Sequence, residues 1–144
     1  MSLLLNKIAI VDTGFWYALF DERDQYFRDA QRKVDLLMSM KYVLPWPTLY
    51  ETLGTRFVRR PLYIRKFEIF LKRPNAVLLD DANYRMQALD RTLSTADGKH
   101  RPISLVDNVL RLIIDDRNFK LHCLFSFNHP DFTDVCRRRQ IELL

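Results

Sequence analysis

The stretch Ile8–Trp16, IAIVDTGFW, decides the fold. With Lys7 in front, residues 7–11 (KIAIV) predict a buried strand: short, β-branched and without polar alternation. The run stops on Asp12, with Thr13 and Gly14 behind it. An aspartate there is either a turn residue or the first acid of a site, and the remaining motifs bear on the choice.

Outward from this strand, helical and extended patterns alternate. From Asp24, apolar Phe27, Ala30, Val34, Leu37 and Met38 recur at helical spacing. YVLPW (42–46) reads as a second strand. TLYETLGTRF (48–57) predicts a helix with Thr48 as N-cap, and Gly54 within it marks close packing against a neighbour. A further helix is expected between Pro61 and Pro74. AVLL (76–79) is a third strand, followed by a helix striped by Ala82, Met86, Leu89 and Leu93. Residues 95–102 form a loop around Gly98. Ser104 opens a helix carrying Val106, Val109, Leu110 and Ile113. LHCLFSF (121–127) and IELL (141–144) supply the fourth and fifth strands. Such alternation implies an α/β fold, a three-layer α/β/α sandwich around an open, mostly parallel sheet. Ligands of such sheets bind beyond the carboxyl ends of the strands. Asp12, Asp80 and Asn128 all stand at such ends.

Composition sets the outer bounds. The chain has 144 residues, 48% of them hydrophobic and 28% charged, which is ordinary for one globular domain over 1–144. Leu3–Leu5 before Asn6 and Lys7 is too short for a signal peptide or a membrane span, so a cytoplasmic location is expected. The two cysteines, Cys123 and Cys136, lack metal-site spacing and read as buried or free thiols. A net charge of +5 suggests an anionic partner and says nothing about fold.

Several acids map to the same predicted edge: Asp12 after the first strand, Glu51 and Asp107 in the first turns of helices, and Asp131 and Asp134 soon after Asn128. If the fold gathers them, their mutual repulsion calls for a divalent cation, and Mg²⁺ or Mn²⁺ suits oxygen donors. A site of that kind supports water activation and in-line attack on a phosphodiester. The competing reading is local. TLYE (48–51) and SLVD (104–107) both match the capping box, in which the acid at N3 serves the N-cap amide. The two readings are compatible, because a first-turn acid can also point into a cleft.

Together, VDTGFWYALFDERDQYFRDA, PTLYETLGTRF, SLVDNVLRLI and LFSFNHPDF resemble the PIN-domain family of metal-dependent ribonucleases, which includes toxins of toxin–antitoxin pairs. The resemblance covers most of the chain and rests on the order and spacing of short motifs. It implies a Rossmann-like sandwich, often dimeric, with Asp12, Glu51 and Asp107 as the metal-binding acids and Thr13 beside the first. In the family's last motif a strand is followed by Thr or Ser, any residue, and Asp; here Ser126 and Phe127 precede Asn128. The expected fourth carboxylate is an amide, and Asp131 is its candidate substitute. The resulting expectation is an endoribonuclease acting on single-stranded or structured RNA. Asp12, Asp107 and Asp131 would hold Mg²⁺ or Mn²⁺, Glu51 would ligate or act as general base, Asn128 would complete the site, and Thr13 and Ser126 would hydrogen-bond metal-bound water or phosphate. An antitoxin protein and a second copy of the chain are the expected protein partners. The alternative, favoured by Asn128, is a catalytically weakened RNA- or protein-binding module of the same fold. A phosphotransferase of the haloacid dehalogenase kind also begins with a strand ending in Asp, but it needs a second acid where Gly14 stands.

Seven basic residues lie between Arg56 and Arg73 against one acid, Glu68. On a helix over 62–73, Arg65, Lys66, Lys72 and Arg73 share one arc, a candidate stripe for RNA phosphates, with Tyr63, Phe67 and Phe70 on another. Of the histidines, only His129 neighbours the candidate site.

Overall fold

Burial on both faces of β1 (Ile8–Val11) organises the molecule. The structure, a computed structural model, describes residues 6–144; Leu3–Leu5 and the first five positions of the expected 1–144 domain lie outside the described residues. In chain order β1 is followed by α1 (Thr13–Phe20), α2 (Phe27–Met38), β2 (Lys41–Pro45), α3 (Trp46–Thr52), α4 (Thr55–Val58), α5 (Pro61–Leu71) and β3 (Ala76–Leu79). Then come α6 (Arg85–Ser94), a 3₁₀ turn (Thr95–Asp97), α7 (Leu105–Asp115), β4 (Cys123–Phe125), α8 (His129–Arg139) and β5 (Glu142–Leu143). The strands form one sheet in the order β3-β2-β1-β4-β5, and every pairing is parallel.

Alternation along the strands builds two cores. Ala9, Val11, Tyr42, Leu44, Cys123 and Phe125 pack against α1, α2 and α5 through Phe15, Trp16, Phe20, Leu37 and Phe67. Ile10 and Leu124 face the other way, onto Val109, Leu110 and Ile113 of α7 and Phe132, Val135 and Cys136 of α8. Sheet and helices thus make the expected α/β/α layers. Both cysteines are buried and free, and Cys123 Sγ lies 3.6 Å from Met40 Sδ.

Several local expectations differ from the structure. Residues 13–20 are helix α1, and this buried segment shows little amphipathic patterning because it is apolar nearly all round. Residues 129–139 are helix α8, started by Pro130 in its first turn. α3 begins at Trp46, two residues before the expected cap. The Thr48 hydroxyl is buried and donates back to the Pro45 carbonyl at 2.7 Å, so TLYE is not a capping box. Glu51 consequently lies near the end of α3, one residue before its last. Gly54 follows the end of that helix: a Cβ would meet the Tyr50 and Glu51 carbonyls at 3.1 Å, so the crowding comes from the chain's own preceding turn, not from a neighbouring element. Asp80 and Asp81 form a turn ahead of α6, which starts at Arg85 instead of residue 82. Regular pairing in β4 is limited to Cys123–Phe125, shorter than residues 121–127, since the His122 ring accepts the Ile8 amide at 3.0 Å.

Candidate functional site

β1 is central, and the chain leaves it on one side to β2 and on the other to β4, so the crevice at the carboxyl ends of β1 and β4 is the topological switch point of the sheet. Asp12 leaves β1 there with its amide on the Phe125 carbonyl at 3.0 Å. It holds the N-cap position of α1, yet its side chain caps nothing. Its Oδ2 accepts instead from the buried Ser126 hydroxyl at 2.9 Å. That hydroxyl in turn accepts from the Asn128 amide at 3.0 Å, which fixes the turn from β4 into α8.

The other acids arrive on separate elements. α3 follows β2 and carries Glu51, whose Oε1 accepts from the Thr13 hydroxyl at 2.7 Å. The Tyr17 hydroxyl donates to the Glu51 carbonyl at 2.6 Å, tying α3 to α1. α7 starts at the same edge. The Ser104 side chain caps it by accepting from the Asp107 amide at 3.1 Å, half of the expected capping box. The Asp107 carboxylate does not complete the box. Its Oδ2 accepts from Asn128 Nδ2 at 3.3 Å, and the same amide donates to Asp131 Oδ2 at 2.7 Å. Arg101 Nη2 lies 2.5 Å from Asp131 Oδ1. Arg111 grips Asp134 with two bonds of 2.6 and 2.7 Å and the Asp131 carbonyl at 2.7 Å, clamping α8 onto α7.

Electrostatics follow from this convergence. Asp12 is only 6% exposed, and burial pushes its carboxyl up to about 6. The Ser126 hydroxyl and Thr13 amide oppose that rise, while the Glu51 and Asp131 charges add to it. Asp107 is pushed up to about 7 by burial first, then by the charge of Asp12, contact with the Asp131 carboxyl and the charge of Glu51. Asp134 is drawn down to about 2 by its bonds from Arg111. Acids raised toward neutrality in a crevice are poorly compensated by the protein alone. Among the described residues, no three His, Cys, Asp or Glu side chains form a cage around one point. The donor chemistry nevertheless suits a hard divalent cation: carboxylates arrive from four elements, and burial with neighbouring negative charge raises the proton affinity of Asp12 and Asp107.

Beside Asp12 opens a cleft of about 560 Å³ lined by Gly14, Tyr17, Asp24, Gln25, Tyr26, Arg56, Phe127 and Asn128. Tyr26 stacks on Phe127 with centroids 4.5 Å apart and planes 2° from parallel. Arg56 lies over the Tyr17 ring, 4.3 Å from its centroid.

No family model matches the sequence, and no curated protein matches it significantly. Solved structures do. The Mycobacterium tuberculosis toxin VapC20, a sarcin-ricin loop cleaving toxin, superposes with a TM-score of 0.65 at 21% identity, over 88% of this chain and 94% of its own. VapBC2 from Rickettsia felis, solved bound to a DNA fragment from its promoter, gives 0.57 at 13% identity, over 95% and 97%. The fold is PIN-like. At these identities the likeness is one of architecture, and the PIN-like crevice is the place where this chain gathers its acids.

Asp12, Thr13, Glu51, Asp107, Ser126, Asn128 and Asp131 therefore meet at one edge of the PIN-like sheet. Arg65, Lys66, Lys72 and Arg73 do not join them. α5 runs away from that edge, so Lys72 and Arg73 follow its end just before β3, near the start of the strands, and Lys72 is paired with Glu68. Lys66 borders a separate hollow with Leu19, Phe20 and Ile69. Tyr17, Tyr26, Arg101 and Arg111 were not singled out from sequence: an aromatic or a lone arginine carries no local signal until the fold aims it. Among the described residues, no helix is long and apolar enough to cross a membrane.

Proposed function

We propose that this protein is a single-domain, divalent-cation-dependent endoribonuclease of the cytoplasm, acting on single-stranded or structured RNA. The observation that carries this reading is the convergence of Asp12, Glu51, Asp107 and Asp131 at the switch point, linked through Ser126, Thr13 and Asn128, where burial and mutual charge raise Asp12 and Asp107. Similarity of fold to a sarcin-ricin loop cleaving toxin supports RNA as the substrate and a toxin–antitoxin pair as the setting.

Asp12, Asp107 and Asp131 would hold Mg²⁺ or Mn²⁺, which when bound would offset their charge and stabilise the attacking and leaving oxygens of a displacement at phosphorus. Ser126 orients Asp12, and the Asn128 amide orients Asp107 and Asp131. Thr13 occupies one oxygen of Glu51, and the other takes the proton from the attacking water as general base. Arg56, across the cleft, meets the charge of the phosphate. Tyr26 offers its outer ring face to a base.

The test is cleavage of single-stranded RNA with and without chelator, in the wild type, Asp12→Asn and Asp107→Asn. Cleavage that survives chelation and both substitutions rules the mechanism out.

Asn128 favours a second reading. Its amide supplies hydrogen bonds to Asp107 and Asp131 without any ion, as in a binding module that has lost catalysis. Absence of Mn²⁺ binding by calorimetry would select that module. An antitoxin and a second copy of the chain remain the proposed protein partners. Exposed Met86 and Leu105, lining an apolar groove of about 250 Å³ with Leu89 and Val109, support an interface between copies, to be tested by sedimentation.

A further inference from the structure

We propose a second anion site in this protein: the hollow formed by Arg56, Arg59 and Arg60 binds a backbone phosphate of the RNA strand that flanks the one at the carboxylates. The proposal rests on the nuclease reading for the identity of its ligand and on Arg59 and Arg60, which that reading does not use, for its existence. The hollow has a volume of about 390 Å³ and is lined by Asp21, Thr55, Arg56, Arg59, Arg60 and Tyr63.

Three guanidinium groups face one carboxylate. Arg56 Nη2 pairs with Asp21 at 3.2 Å, and among the described residues neither Arg59 nor Arg60 has an acid within ion-pair distance. Arg60 lies over the Tyr63 ring, 5.6 Å from its centroid, and Arg56 over Tyr17 at 4.3 Å. A guanidinium held over an aromatic ring is positioned before it meets a ligand, and Arg60 keeps its N–H donors clear of any acid among the described residues, an arrangement suited to recognition of a phosphate. Tyr17 and Tyr63 therefore reduce the entropy that Arg56 and Arg60 lose on binding.

Position makes the hollow part of a track. Arg56 lines both this hollow and the cleft that contains Asp12, so a strand at the carboxylates continues past Tyr17 and Arg56 onto Arg59 and Arg60. The break at Gly54 and the short α4 create this placement. They put Arg56, Arg59 and Arg60 at the same edge as Glu51, whereas α5 carries the later basic residues away.

The experiment measures anisotropy of a short fluorescein-labelled single-stranded RNA over a range of salt, in chelator so that only binding is read. The wild type, Arg59→Gln/Arg60→Gln and Arg65→Gln/Lys66→Gln are compared, with thermal melts confirming that each is folded. The Arg59/Arg60 variant is expected to lose about tenfold in affinity, and its log–log salt slope to fall by about 0.7 for each lost phosphate contact. The Arg65/Lys66 variant is expected to match the wild type. Unchanged affinity and slope in the Arg59/Arg60 variant would overturn the site and leave the hollow to an acidic protein partner. A wild type that does not bind RNA would overturn it as well. Cleavage is assayed separately on the same RNA: binding that depends on Arg59 and Arg60 without any cleavage sinks the nuclease reading and leaves the phosphate site standing.

Discussion

The Ser126 hydroxyl donates to Asp12 Oδ2 at 2.9 Å, joining residues 114 positions apart at the carboxyl ends of the two central strands. The bond orients a carboxylate that is 6% exposed, and it opposes, without cancelling, the rise in proton affinity that burial causes. Asp12 is thus a buried carboxylate whose hydrogen bond only partly offsets the cost of its charge. Ser126→Ala should lower cleavage by about tenfold or more, since a removed hydrogen bond to a charged group costs about 1.5–3 kcal/mol. Steady-state kinetics with RNA at fixed cation check this; unchanged kinetics would make the bond incidental.

Removing the acid itself should separate function from stability. Asp12→Asn eliminates a buried, repelled carboxylate, so in chelator the variant should melt at a higher temperature than the wild type. Its cleavage should fall by about a hundredfold or more, the scale of a lost electrostatic contributor. A variant both inactive and less stable would show that Asp12 is a structural residue.

The raised acids also fix the sign of the pH response without cation. Asp12 and Asp107 titrate near 6 and 7 in the folded protein against an ordinary 3.8, so the native state binds more protons than the unfolded state between about 4 and 7. Stability should therefore fall as pH rises through this window. Asp134, lowered to about 2, contributes at and above pH 4 and is lost only in stronger acid, so it does not mask the trend. Melting curves from pH 5 to 8 in chelator should drop, and the slope should flatten in Asp107→Asn. A slope that Asp107→Asn leaves unchanged would assign the response to other groups.

Asn128 provides a complementary test. Its amide is the donor shared by Asp107 and Asp131. Asn128→Asp removes that donor and adds another carboxylate, so the variant should be less stable than the wild type in chelator, regain stability in Mn²⁺ and keep or exceed wild-type cleavage. Loss of cleavage despite Mn²⁺ would show that the amide itself is required.

Arg111 tests the mechanical support of the site. It bonds both Asp134 oxygens and the Asp131 carbonyl, and its own side chain is 14% exposed. Arg111→Ala should destabilise the fold by about 1–3 kcal/mol, as expected for hydrogen bonds to charged groups. Chemical denaturation measures the loss; a change of only a few tenths would mean that α8 is held by packing alone.

Periodicity made the layers legible, because buried strands such as Ile8–Val11 and striped helices such as α7 (Leu105–Asp115) carry their environment in their spacing. It failed for α1, which is apolar on nearly every side, and for α8, where arginines and acids dilute the stripe. Asp12, Glu51, Asp107 and Asp131 could be named from motif order, but their hydrogen-bond partners could not. The Asn128 bridge and the Thr13–Glu51 bond join positions 21 and 38 residues apart, and only the sheet brings them together. The basic stripe illustrates the reverse. Charge density pointed to residues 65–73, whereas the helix break at Gly54 put Arg56 at the cleft.

Calorimetric titration of Mn²⁺ into the wild type, Asp12→Asn and Asp107→Asn tests the central claim most directly. Saturable binding by the wild type, with release of protons as the raised acids ionise and sharp weakening in both variants, is the predicted result. No binding by the wild type, or equal binding by all three proteins, would contradict it.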